Sequence, residues 1–177
     1  MKVLSQLTDE ELMTAVSNGN LDNMSVLFER YHVRIFNFLC QMTNGDRDLS
    51  EDVTQEVFYK AIKYRSSYHG GKFISWIFTI ARNSLSNHYR KKKQKIDRLD
   101  DVGYKLGEEN NVKLDDLSHL SEVLNKLDDQ DKELIVLNRL QEVKYDQLAE
   151  MMGSTTGAVK VKVHRALKKL KTFYFQE

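Results

Sequence analysis

Apolar side chains recur at three- and four-residue intervals over most of the chain, the spacing that lines one face of an α-helix. The run Leu7-Thr8-Asp9-Glu10-Glu11-Leu12 opens the pattern as a capping box from Thr8 to Glu11, with Leu7 and Leu12 placed as a hydrophobic staple. That helix ends near Gly19-Asn20. A second carries Met24, Leu27, Phe28, Tyr31, Ile35, Phe38, Leu39 and Met42 and breaks at Asn44-Gly45-Asp46. Ser50 is the expected cap of a third, with an inner stripe of Val53, Val57, Ala61 and Tyr64 and an outer face of Glu51, Asp52, Gln55 and Glu56. A loop over 66–71 leads to a fourth helix expected from about 73 to 92. Further on, Leu117, Leu120, Leu124 and Leu127 mark one helix and 134–140 another. Alternating strand patterns with hairpin turns are absent, so the pattern predicts an all-α fold.

The last fifty residues carry a more specific arrangement. Leu148 and Met152 give one helix a buried side, Ala149 permits close approach of a second, and Gly153 suits a tight turn between them. Ser154 is the expected cap of the next helix, whose inner stripe is Val159, Val163, Ala166 and Leu170. Gly157, Lys160, Val161, His164 and Lys168 then face outward, with Lys162 and Arg165 beside them. Small, turn and apolar positions all agree with a helix-turn-helix whose cationic second helix can enter a major groove.

Composition sharpens this picture. The 177 residues contain no proline, where average usage would give about nine. One cysteine, Cys40, excludes an internal disulfide framework and fits a reducing compartment. The first residues turn acidic by position 9, unlike a signal peptide, and 73–81 is too short an apolar stretch to span a bilayer. A cytoplasmic protein with no membrane insertion is expected. The net charge of +1 conceals an asymmetry: residues 1–95 carry 14 basic and 10 acidic side chains, 96–125 carry 3 and 8, and 126–177 carry 10 and 8. The acidic segment has few large apolar residues and reads as a flexible linker, 96–119, between small helical domains at 1–95 and 120–177.

The basic charge is concentrated further. The forty residues 57–96 hold ten cations, eight aromatics and no acid, and 154–171 hold six cations and no acid. Two such segments imply two contact points on a polyanion. Asp48-Leu49-Ser50-Glu51-Asp52-Val53-Thr54-Gln55-Glu56-Val57-Phe58 and Phe73-Ile74-Ser75-Trp76-Ile77-Phe78-Thr79-Ile80-Ala81-Arg82-Asn83 resemble regions 2.2 to 2.4 of ECF (extracytoplasmic-function) sigma factors of bacterial RNA polymerase. Thr156-Gly157-Ala158-Val159-Lys160-Val161-Lys162-Val163-His164-Arg165-Ala166 resembles their region 4.2. Three positions depart from the family's usual pattern: Asp128 stands in place of a proline, Glu142 in place of a glycine, and Lys144 in place of a capping serine.

The resemblance implies a transcription initiation factor that binds polymerase core and promoter DNA, with an anti-sigma factor as a partner common in the family. It implies core contacts by Asp48, Glu51, Asp52, Gln55, Glu56 and Phe58. Melted minus-ten DNA would meet Tyr64, Arg65, Tyr68, His69, Lys72 and Asn83, in or beside a glycine-rich loop where burial of Tyr64, Tyr68 and His69 is not expected. The minus-thirty-five element would meet Thr156, Lys160, Val161, Lys162, His164, Arg165 and Lys169, with Arg165 able to reach either base edges or backbone. The alternative is a stand-alone helix-turn-helix regulator. An enzyme is not expected, and neither cofactor nor metal. The five histidines and Cys40 lack ligand partners at helical spacing, 70–73 lacks the earlier glycine and Ser/Thr of a phosphate loop, and the basic segments lack the carboxylates of a two-metal nuclease.

Overall fold

The computed structural model of the chain describes residues 3–98 and 117–176, and among these there are helices and turns but no strand. Eight helices follow in order: α1 (Asp9–Ser17), α2 (Met24–Met42), α3 (Arg47–Lys63), α4 (Phe73–Arg98), α5 (Leu117–Leu124), α6 (Asp129–Ile135), α7 (Tyr145–Met152) and α8 (Thr156–Tyr174). The all-α expectation holds. The expected linker lies mostly at 99–116, outside the described residues. On its flanks α4 runs past 95 to Arg98, and α5 opens before 120.

The capping box of α1 forms as the sequence implies. Thr8 Oγ1 accepts from the Glu11 amide at 3.1 Å, and Glu11 Oε2 accepts from the Thr8 amide at 2.8 Å. Asp9 ties this helix to α2, taking an ion pair from Arg30 at 2.8 Å and a hydrogen bond from the Tyr31 hydroxyl. Burial and the Asp9 carboxylate both push the Tyr31 phenol up, so it remains a donor. Glu10, one residue on, accepts the backbone amide of Phe73 at 3.1 Å and so caps α4 from another helix.

Two other caps differ from expectation. Asp46, not Ser50, caps α3, accepting from the Leu49 amide at 3.1 Å. The helix therefore starts a turn earlier, and Ser50 is buried within it, donating to the Asp46 carbonyl at 2.6 Å. Thr155, not Ser154, caps α8, accepting from the Ala158 amide at 3.2 Å. In both cases the cap is the residue whose side-chain oxygen reaches the third amide of the helix. The apolar stripes also lose two members: Phe28 and Tyr64 are exposed.

Leu12, Leu27, Ile35, Phe38, Phe73, Ile77 and Phe78 are fully buried among α1 to α4. The same apolar cluster continues without a gap into Val136, Leu137, Val143, Leu148 and Val163 of the C-terminal half. The halves are thus docked, with α7 lying along α4 and the segment after α6 against α2. Polar contacts stitch this seam. The Arg34 guanidinium donates to the Gln141 carbonyl while lying 5.0 Å over the Tyr31 ring. Ser75 donates to the Gln147 carbonyl at 3.4 Å. Lys132, only 3% exposed, donates to Asn44 Oδ1 at 2.8 Å and Asn125 Oδ1 at 2.7 Å. Arg82 pairs with Glu133 across the seam.

The departures from the family pattern acquire physical meaning in the C-terminal half. Asp128 replaces the usual proline by capping α6, accepting from the Asp131 amide at 2.8 Å. Lys144 precedes α7 without offering an acceptor; Gln147 Oε1 instead takes the Lys144 amide at 3.1 Å. A π-helical turn, Val136–Leu140, extends α6, and the chain leaves it through Glu142 at φ +57°. Glycine is the residue that meets this left-handed position without a Cβ penalty. Glu142 is exposed, and among the described residues its side chain forms no hydrogen bond or ion pair. Glu142→Gly is therefore expected to raise stability by about 1 kcal/mol, read as an upward shift of a few degrees in the thermal unfolding midpoint.

Candidate nucleic-acid interface

The C-terminal helix-turn-helix is built as its sequence implies. Leu148 and Ala149 bury one side of α7, Gly153 makes the turn at φ +61°, and Val159, Val163 and Ala166 bury α8. With that side committed, Gly157, Lys160, Val161, His164, Arg165 and Lys168 line a shallow open groove on the opposite side. Lys160, Lys162, Arg165 and Lys168 form no ion pair among the described residues, so the groove presents uncompensated positive charge. Thr156 is exposed at the start of this face, and Val161, 48% exposed, offers an apolar contact between cations.

One residue of the expected set is engaged elsewhere. Lys169 lies on the flank of α8 nearest α6, where its ammonium meets Asp131 at 2.7 Å. That carboxylate raises the Lys169 pKa and offsets its charge. Among the described residues Lys162, on the flank, forms no ion pair. Lys168, three and four residues beyond Arg165 and His164, lines the groove beside them; the i, i+4 step from His164 is the signal that places it there.

In the N-terminal half, 64–72 forms a tight loop beneath the start of α4. Tyr64, His69 and Lys72 are exposed along it, Asn83 is exposed ten residues further into α4, and Arg65 is half-buried with its guanidinium donating to the Ile62 carbonyl at 3.0 Å. Tyr68 is different from expectation: it is 5% exposed. Its ring stands edge-on to Trp76 at 5.5 Å, and its hydroxyl donates to the Gly71 carbonyl. Burial and the nearby carboxylates of Glu10, Asp9 and Glu150 push its pKa up to about 12, which keeps the phenol a donor. The loop thus turns one of its own rings inward as its floor, while Tyr64 and His69 stay outside.

The acidic face of α3 is open, with Asp48, Glu51, Asp52 and Gln55 exposed. Glu56 is half-buried and paired with Lys60 at 2.6 Å. Phe58, expected on this face, is 6% exposed and packs edge-on to Phe28 at 4.9 Å. A one-residue step rotates a helix by about 100°, so Tyr59 takes the outward position that Phe58 was assigned. It is 63% exposed and lies seven residues after Asp52, on the same stripe.

Known proteins match this arrangement in the same order along the chain. Residues 27–95 match Sigma-70 region 2, and residues 118–170 match Sigma-70, region 4. The chain belongs to the ECF sigma factors of the sigma-70 family. It is 28% identical to the RNA polymerase sigma factor YlaC of Bacillus subtilis, over 85% of this chain and 91% of that one. It is also 28% identical to the ECF RNA polymerase sigma factor SigM of the same organism, over 84% and 93%. In fold it is similar to the sigma factor RpoE solved with the anti-sigma factor NepR from Bartonella quintana. That likeness has a TM-score of 0.71 at 23% identity and covers 88% of this chain and 98% of that one.

Membership makes the chain a transcription initiation factor that associates with RNA polymerase and directs it to promoters. The family is one of initiation factors, not of known catalysts. Among the described residues no helix is long and apolar enough to cross a membrane. In this sigma factor the loop is part of the hydrophobic core through Tyr68. Tyr68→Ala is expected to cost about 3 kcal/mol in urea unfolding, and Tyr68→Phe, which loses only the bond to Gly71, about 1 kcal/mol.

Proposed function

We propose that this sigma factor contacts its partners through three faces. The α3 stripe of Asp48, Glu51, Asp52 and Gln55, with Tyr59 at its C-terminal end and Glu56 at its edge, docks on polymerase core. The loop surface of Tyr64, Arg65, His69 and Lys72 over the buried Tyr68, together with Asn83 further along α4, receives a base of the melted minus-ten strand. The α8 groove enters the major groove of the minus-thirty-five element. The observation that carries this reading is the α8 face: three cations without an ion pair among the described residues, Lys160, Arg165 and Lys168, with a histidine and a valine, on one side of a helix whose other side is buried. Cations there neutralise phosphates and fix register, while the central side chains meet base edges.

The division of labour follows from the rotation of α8. Lys160 and His164 line the groove one turn apart and Val161 is turned about 60° from His164 towards the far side, suited to guanine acceptors and a thymine methyl respectively. Lys162 lies on the flank, suited to phosphate. Arg165 stands between the two groups and reaches either. The protein would act in the cytoplasm, without catalysis or cofactor of its own, as a specificity subunit. An anti-sigma factor is a further proposed partner, since relatives in solved complexes hold one.

In vitro transcription with purified polymerase core tests the reading directly. Promoter-specific initiation that depends on this chain is expected, and initiation that ignores it would overturn the assignment. Lys160→Ala should cost about 1–3 kcal/mol on the cognate upstream element and much less on a scrambled one. Lys162→Ala should weaken both alike and lower the salt-dependence slope by about one unit, measured by titration at several salt concentrations.

The docking face is tested by charge reversal. Glu51 and Asp52 are exposed, so reversing both to Lys should change folding stability by no more than about 0.5 kcal/mol per site. Affinity for core, measured in a pull-down or titration, should fall; unchanged affinity would remove α3 from the interface.

A further inference from the structure

The middle of the cationic helix carries an apolar residue that the fold does not use. Val159, Val161 and Val163 alternate with Lys160 and Lys162 along α8; the outer two valines are 1% and 0% exposed, whereas Val161 is 48% exposed. At about 100° per residue, Val161 points within about 15° of directly away from the mean direction of Val159, Val163 and Ala166. Lys160 and Lys162 stand one step to either side of it, and His164 and Arg165 follow one turn on. The most outward side chain in the first two turns of α8 is therefore a branched hydrocarbon, surrounded by cations in a groove that it helps to line.

Gly157 lies on the same stripe, four residues and one turn nearer the helix N-terminus, and is exposed. A Cβ on Gly157 would meet nothing within 4 Å, and no positive φ there asks for glycine. Glycine weakens a helix relative to alanine, so neither the packing nor the backbone of this chain accounts for it. The missing side chain leaves room for an outside surface to come up against the helix at 157 and against Val161 beyond it. In a helix-turn-helix, this end of the second helix is the one that reaches base edges.

The major groove offers one apolar group. All four bases present nitrogens, oxygens or amino groups there, and thymine alone adds a methyl, on C5. An isopropyl group set against polar base edges strips their water and returns no hydrogen bond. Set against a C5 methyl, it removes apolar surface on both sides from water. Valine has neither side-chain donor nor acceptor, so it cannot distinguish the O4 of thymine from the N4 amino group of 5-methylcytosine. What it registers is the methyl, whichever pyrimidine carries it. The surrounding cations tolerate that exchange, since the partner base becomes guanine, whose N7 and O6 accept from lysine and arginine.

We propose that Val161 reads the pyrimidine C5 methyl group at one position of the upstream element, and that 5-methylcytosine there serves in place of thymine. This rests on the reading that α8 enters the major groove of that element. Promoter choice by this chain would then respond to cytosine C5 methylation: an element with cytosine at that position is a poor site that methylation converts into a good one. The cations set how tightly DNA is held, and the valine sets which pyrimidine is accepted.

The test uses the full chain assembled with polymerase core, and duplexes whose upstream element has been selected from a randomised pool. Each thymine of the selected element is replaced in turn by uracil, which keeps every polar group and removes only the methyl. One replacement should weaken binding about fourfold, the effect of one methyl group withdrawn from water. Cytosine at that position should bind no better than uracil, and 5-methylcytosine should recover the loss. Val161→Ser alters an exposed side chain and should keep the wild-type fold by circular dichroism; in it, thymine and uracil at that position should bind alike. A selected element in which no uracil replacement separates wild type from Val161→Ser would overturn the methyl reading and leave the major-groove reading standing. So would a Val161→Ser chain that loses affinity for core in the absence of DNA, which would give the valine to a protein surface. A wild-type chain that, with core, selects no upstream element at all would overturn the major-groove reading, and this proposal with it.

Discussion

Glu10 accepts the backbone amide of Phe73 from a helix more than sixty positions earlier in the chain, and the rest of the N-terminal half is organised around that bond. The first amides of a helix need acceptors, and the residues before α4, Gly70-Gly71-Lys72, supply no side-chain oxygen. Without Glu10 the start of α4 would lack its cap and the loop before it would lose its anchor. Asp9 beside it holds Arg30 and Tyr31, and the Tyr31 ring stands edge-on to Phe73 at 5.0 Å. Two adjacent carboxylates in the first turn of α1 thereby fix α2 and α4, and with them the loop that carries Tyr64, His69 and Lys72. Their position at a helix N-terminus also suits the helix dipole, so the same charges stabilise α1 itself.

From that anchored end α4 serves three surroundings at once. Its residues Phe73, Ile77, Ala81 and Leu85 recur every four positions, and on a helix of 3.6 residues per turn such a column drifts steadily around the axis. One side of α4 therefore meets α2 and α3, a second side carrying Ser75 and Arg82 meets the C-terminal half, and a third leaves Asn83 exposed. The seam on the second side mixes a continuous apolar cluster with charged groups. Burial pushes the Glu133 carboxyl up while the Arg82 guanidinium pulls it down, and burial has the larger effect. Desolvation thus offsets much of that ion pair's attraction. Such a seam specifies one docking geometry and can still be undone by a competing surface.

The C-terminal half shows how local geometry can survive a changed sequence. Asp128 caps α6 where the family usually has proline, and Gln147 supplies one acceptor that the residue at 144 cannot. The left-handed exit at Glu142 persists even without glycine, because the Val143 amide bonds to the Leu137 carbonyl at 2.9 Å and the Val143 side chain is fully buried. Packing on both sides holds a backbone conformation that the residue itself disfavours. The helix-turn-helix that follows is unaffected, since its turn rests on Gly153 and its cap on Thr155.

What the sequence determined by itself was everything carried by short-range spacing. The helical fold, the α1 capping box, the turn at Gly153 and the outward face of Lys160, Val161 and His164 all follow from contacts within four residues, where identity and periodicity suffice. The acidic stripe of α3 was legible for the same reason, up to the single-residue rotation that exchanges Phe58 for Tyr59. What only the tertiary structure decided were the long-range partners: Glu10 on Phe73, Asp131 on Lys169, Glu133 on Arg82, and the core position of Tyr68. No pattern in sequence marks these, because a charged or aromatic side chain has the same local spacing whether it faces water or a partner. The difference lies in which surface another part of the chain brings against it. For Lys169 that surface neutralises a cation that spacing alone would leave free. For Tyr68 it places under the glycine-rich loop a ring whose loop position alone would predict exposure to solvent.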